Sequence, residues 1–112
     1  MLSTKAGQLA EEKVAEYLES TGYQVLDKNW RTRTCEIDIV AYKNRTVFFV
    51  EVKYRSTSFQ GTGFEYITPA KLRRMKYAAR LWTAKHNWTG SYCLCAASVH
   101  GSDLVVDFIE QV

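Results

Sequence analysis

The sequence predicts an α/β fold in which a mixed β-sheet is flanked by helices, with elements in the order αβββαββ. Three observations carry this. Residues 4–22 and 68–86 repeat apolar side chains at helical spacing between start and stop signals. Three runs after the first helix and two after the second are rich in β-branched and aromatic residues and bounded by turn residues. The run 47–53 is apolar on both faces for most of its length, as a strand covered on both sides requires.

The first helix has Ser3 or Thr4 as its cap and Gly22 at its end, where a left-handed residue suits glycine. At about 100° per residue, Gly7, Val14, Ala15 and Leu18 form a stripe around Glu11. Glu12, Glu16 and Glu19 fall on the other, solvated side. Glu11 is therefore the helix carboxylate on the apolar face. It either pairs with a base such as Arg31 or Lys53, or completes a metal site.

Residues 23–30 read as the first strand and 36–42 as the second. The second strand carries Glu36, Asp38 and Val40 on one face and Cys35, Ile37, Ile39 and Ala41 on the other. Residues 43–46 (Lys-Asn-Arg-Thr) supply a hairpin, because Asn44 tolerates positive φ. The hairpin places Val40 near Val47 and brings Asp38 toward Glu51. The third strand, 47–53, shows Val47, Phe49, Glu51 and Lys53 on one face and Phe48, Val50, Val52 and Tyr54 on the other. Burying an unpaired ion costs several kcal/mol or more. Glu51 and Lys53 thus form either a structural ion pair or a site that needs both charges.

Two carboxylates and a lysine at one end of a ribbon have a chemical use. Carboxylate oxygens bind Mg²⁺ or Mn²⁺ with positions left for water and phosphate. Such an ion acidifies water and neutralises phosphate charge, and a lysine beside it stabilises the developing charge.

The second helix starts with Thr68 as cap and Pro69 in the first turn, and runs to about His86. Leu72, Met75, Ala79 and Trp82 form its apolar stripe. Arg73, Lys76 and Arg80 form a polar stripe, with Lys71 and Arg74 beside it. The net charge of +3 is unevenly spread. Residues 1–65 hold nine Lys/Arg and nine Asp/Glu, residues 66–102 hold six bases and no acid, and residues 103–112 hold three acids. A helix face without countercharge suits either a polyanion or bulk solvent. Residues 91–99 and 104–109 form a final hairpin around His100-Gly101-Ser102-Asp103, and His86 and His100 read as surface residues.

The loop 55–64 follows the charged strand directly, and its Phe59 or Phe64 either contacts bases or anchors the loop. At 112 residues and 46% apolar content, residues 1–112 form one domain with a core and are short for two. No linker, repeat, signal peptide or membrane-spanning run stands out. The three cysteines read as reduced, buried thiols of a cytoplasmic protein.

The series Gly7-Xaa-Xaa-Xaa-Glu11, Gly22-Tyr23, Asn29-Xaa-Arg31, Glu36-Ile37-Asp38, Phe49-Val50-Glu51-Val52-Lys53-Xaa-Arg55 and Thr68-Pro69-Xaa-Lys71 resembles the YraN-like family of small bacterial proteins. The resemblance covers nearly the whole chain, most firmly residues 7–85. The chain is also similar to the archaeal Holliday junction resolvases of the PD-(D/E)XK nuclease superfamily, which implies a restriction-endonuclease-like fold. By that resemblance Asp38 and Glu51 are metal ligands, Lys53 is the catalytic lysine, and Glu11 matches the helix glutamate many of these nucleases add. It implies a Mg²⁺- or Mn²⁺-dependent nuclease acting on DNA, branched or damaged DNA included, with Arg31, Arg55, Lys71, Arg73, Arg74, Lys76 and Arg80 against the phosphate backbone. A homodimer suits a junction substrate. The chain departs from the family at Cys35, usually glycine, at Gln8, usually basic, and at Ile37, where the superfamily's name has proline. The strand 92–97 also lacks an aspartate the family often carries. A non-catalytic nucleic-acid-binding module on the same fold, and a protein-interaction subunit with a structural charge cluster, are the other two readings.

Overall fold

The computed structural model describes residues 5–55 and 64–112. The expected cap at Ser3 or Thr4 and most of the loop after Arg55, with Phe59, lie outside the described residues. The elements are α1 (Lys5–Ser20), β1 (Gln24–Arg31), β2 (Glu36–Lys43), β3 (Thr46–Arg55), α2 (Pro69–Lys85), β4 (Ser91–His100) and β5 (Val105–Ile109). This is the predicted order αβββαββ.

The local signals act where the sequence carries them. Gly22 takes φ +99° at the end of α1. Its N–H donates to the Glu19 carbonyl and the Tyr23 N–H to the Leu18 carbonyl at 2.9 Å, the paired bonds of a Schellman cap. Thr68 caps α2, its side chain accepting from the Lys71 N–H, and Pro69 follows in the first turn. Asn44 and Arg45 both adopt positive φ (51° and 61°), which closes the β2–β3 hairpin as a two-residue turn whose twist matches the strands.

The five strands lie in sequence order, β1-β2-β3-β4-β5. The pairs β1–β2, β2–β3 and β4–β5 are antiparallel, whereas β3–β4 is parallel, with α2 as the connection between them. The sheet is therefore mixed, as expected. Helix α1 covers one face, where Val14 and Leu18 pack with Ile39, Phe48, Val50 and Val99. Helix α2 covers the other, where Met75, Ala79 and Trp82 pack with Val40, Val47, Phe49 and Leu94. Strand β3 is thus buried on both sides, which explains its unbroken apolar run. The Phe49 and Trp82 rings meet edge-on, 5.5 Å apart.

Two details of β2 differ from the expectation. The tight turn pairs Lys43 with Thr46, so Tyr42 faces Val47 and Val40 faces Phe49 rather than Val47. Alternation also breaks at Asp38: Cys35 and Ile37 pack with Val40 on the α2 face, while Ile39 and Ala41 face α1. The β2–β3 pairing ends at Ile39 and Val50, one residue before Asp38 and Glu51. The strands part where the carboxylates begin. Among the described residues no helix is long and apolar enough to cross a membrane.

Candidate active site

Asp38 stands at this fork. Its Oδ2 accepts a hydrogen bond from the Val52 N–H at 2.8 Å. A side chain thereby satisfies a backbone donor that the ended ladder leaves without a strand partner. Burial, then the neighbouring Glu51 carboxylate, push the Asp38 carboxyl up to about 8, against the lowering effect of the Val52 N–H; Glu11 and Glu36 add to the rise.

Glu11 reaches the same corner from α1. Its Oε1 is buried and has no hydrogen-bond partner. Burial raises its carboxyl above the usual carboxylate range, hydrogen bonding from the Asn29 side chain opposes this, and Arg31 also lowers it. Asn29 adopts φ +54° within β1, in the register position between Lys28–Ile39 and Trp30–Ile37, opposite Asp38. The left-handed turn of one residue, which Asn tolerates better than most, is what the motif Asn29-Xaa-Arg31 contributes.

The predicted bases are distributed differently. Lys53 is exposed and forms no hydrogen bond or ion pair among the described residues. The ammonium on Glu51 is that of Lys71, 2.8 Å from Oε2. Glu51 and Lys53 therefore do not form the structural pair that their spacing allowed. Arg31 pairs with Glu36 across β1–β2 at 3.3 Å rather than with Glu11. Arg55 is half-buried, and its carbonyl accepts from the Gly101 N–H. Arg73, Arg74, Lys76 and Arg80 are all exposed on α2. Arg73 and Arg74, with Lys71, line a cleft of about 480 Å³ that also touches Glu36, Glu51 and Tyr77; Lys76 and Arg80 lie off it.

Two residues at the site escaped the sequence reading of function. Tyr66 is half-buried and donates from its hydroxyl to the carbonyls of Ala97 (3.2 Å) and Glu51 (3.4 Å). Burial raises this hydroxyl far above its ordinary value, and Glu51 and Asp38 raise it further while Arg55 lowers it. Its position just before the Thr68-Pro69 cap was the available signal. Tyr77, on the outer part of α2, is hydrogen-bonded to Thr34 at 3.0 Å across the cleft. Cys35 is placed in the cleft wall by the Thr32 side chain, which accepts from the Thr34 and Cys35 N–H groups. His86 is exposed and stacks on Trp82, and His100 is half-buried beside Asp107; neither nears the carboxylates.

The donor chemistry of the corner suits a hard divalent cation. Asp38, Glu51 and Glu11 offer only carboxylate oxygens; Glu51 and Glu11 both raise the proton affinity of Asp38; and Glu11 Oε1 has no hydrogen-bond partner. Among the described residues, however, no three His, Cys, Asp or Glu side chains stand close enough together to hold an ion. Glu51 is drawn to Lys71 and Asp38 to Val52.

The fold is similar to that of Hjc from Archaeoglobus fulgidus, a Holliday junction resolvase from an archaeal hyperthermophile, with a TM-score of 0.55 over 93% of this chain and 76% of that one. Identity is 18%, so the likeness speaks to the fold, which is restriction-endonuclease-like. In sequence, the chain is 41% identical to a UPF0102 protein of Renibacterium salmoninarum over 76% of its own length and 72% of the relative's. It is 32% identical to one of Cytophaga hutchinsonii over 93% and 92% of the two chains. Residues 10–108 match the uncharacterised protein family UPF0102, the YraN-like family anticipated from the motifs, and the chain belongs to it.

Proposed function

We propose that this protein is a Mg²⁺- or Mn²⁺-dependent nuclease that hydrolyses DNA phosphodiesters, with branched or damaged DNA as its substrate class. The observation that carries the reading is that Asp38, at the fork of β2 and β3 on a resolvase-like fold, lies within electrostatic reach of Glu51 and Glu11, with Glu11 Oε1 buried and unsatisfied. Asp38 and Glu51 would hold the cation, and Glu11 would complete its shell or orient water. A divalent ion there supplies charge neutralisation on a phosphate and acidification of water. Lys53, exposed on the same strand, would stabilise charge developing on the phosphate. Lys71, Arg73 and Arg74 position the backbone in the cleft, and Arg31, Arg55, Lys76 and Arg80 extend the basic surface. The lack of disulfides among Cys35, Cys93 and Cys95 fits a cytoplasmic setting. A domain this small covers little of a junction, which favours a homodimer.

A second reading has its own observation. Glu51 is already neutralised by Lys71, and Lys53 touches neither carboxylate. A nucleic-acid-binding module that keeps the nuclease fold without cleaving would carry such an arrangement.

The deciding experiment incubates labelled duplex, single-stranded and four-way-junction DNA with the protein, in Mn²⁺ and in chelator, beside Lys53→Ala and Asp38→Ala. Cleavage that needs metal and is lost in both variants is the expected result. Salt-sensitive binding without cleavage, surviving both substitutions, supports the second reading. No binding to any DNA form at low salt rejects both.

A further inference from the structure

Lys71 occupies a position that its own helix does not favour. It lies in the first turn of α2, a turn without any acidic residue, where the helix dipole prefers negative charge. The compensation is tertiary. Lys71–Glu51 is a short and largely covered ion pair, at 2.8 Å with side-chain exposures of 29% and 19%. The pair has one end in the carboxylate corner and the other in the basic cleft, since Lys71 lines the cleft together with Arg73 and Arg74.

One ammonium therefore faces two competitors. A cation entering the corner competes for Glu51, whose Oε2 Lys71 holds. A phosphate entering the cleft offers Lys71 another anion, beside two guanidiniums that no described ion pair engages. Each ligand removes the obstacle to the other, and such linkage is reciprocal. We propose that Lys71 is a substrate-responsive counter-ion of Glu51: it keeps the carboxylate neutralised while the cleft is empty and transfers to the DNA backbone when the cleft fills, so that metal and DNA bind cooperatively. This rests on the assignment of Asp38 and Glu51 as ligands.

The test measures Mn²⁺ affinity by calorimetry, with and without a short duplex, after subtraction of ion bound by the duplex alone. The variants are Lys71→Gln, Lys71→Arg, Asp38→Asn and Lys85→Gln, the last removing one charge from the far end of the same helix; circular dichroism checks that each is folded. The wild type should bind Mn²⁺ weakly alone and about tenfold more tightly with duplex. Lys71→Gln should bind tightly without duplex and gain little from it, while Lys71→Arg and Lys85→Gln should follow the wild type. Wild-type affinity in Lys71→Gln, with binding lost in Asp38→Asn, overturns the counter-ion role and leaves the ligand assignment standing. Mn²⁺ binding that is absent, or indifferent to Asp38→Asn, overturns the ligand assignment and the counter-ion role together.

Discussion

The Asp38 carboxylate accepts the Val52 N–H at 2.8 Å at the point where β2 and β3 separate. One side chain takes over where the ladder ends and is fixed in place by that bond, so the position of the carboxylate is built into the strand geometry. The same burial that fixes Asp38 also raises its carboxyl, with Glu51 contributing, from 3.8 to about 8.

This sets a pH dependence for the metal-free protein. A folded-state value above the ordinary one means that the folded protein holds the proton more tightly than the unfolded chain. The associated stability is fully present below 3.8 and is lost as pH rises toward about 8. Glu11, raised by burial, slopes the same way. Urea midpoints measured in chelator across this range should show a component falling by at most about 1.4 kcal/mol per pH unit that Asp38→Asn removes. An identical pH profile in the variant contradicts the raised carboxyl.

Removal of the Tyr66 hydroxyl leaves the Ala97 and Glu51 carbonyls without that donor. Tyr66→Phe should destabilise the fold by about 1 kcal/mol in chemical denaturation. No change would mean that water replaces the hydroxyl.

Phe49 is 2% exposed and packs on Trp82 between β3 and α2. Phe49→Ala should cost about 3–5 kcal/mol through lost burial and a residual cavity. Equilibrium unfolding monitored by tryptophan fluorescence reads this.

Arg73 and Arg74 line the cleft, and Lys76 and Arg80 do not. If DNA follows the cleft, Arg73→Ala and Arg74→Ala should each weaken binding and lower the salt slope by about 1. Lys76→Ala and Arg80→Ala should do less. Equal effects from all four, measured by fluorescence anisotropy over a salt series, would place the backbone across the helix instead.

Much of the fold was legible because its signals are local. Gly22, Asn44 and Thr68-Pro69 each fix a φ angle or a cap within a few residues, and those boundaries hold. The meeting of Asp38 with Glu51 was legible for the same reason, since a short hairpin leaves little freedom in register. The partner of Val40 was misjudged because turn length, not turn composition, sets which residues face each other. Long-range choices were not legible. Nothing near Glu51 in sequence says that Lys71 rather than Lys53 will reach it, because that depends on how α2 docks. Tyr66 was not singled out because its partners, the Glu51 and Ala97 carbonyls, are remote from it in sequence.

The single parallel pair of the sheet also orders events in time. Strands β1, β2 and β3 join through short connections, whereas Thr46–Ser91 and its neighbours pair across the whole of α2. Loop closure over that distance is the slower step. The folding chain thus brings Asp38 and Glu51 together early, as a local meander, and acquires Lys71 only when α2 settles against the sheet. Glu51 therefore meets its counter-charge last, from the element that docks last.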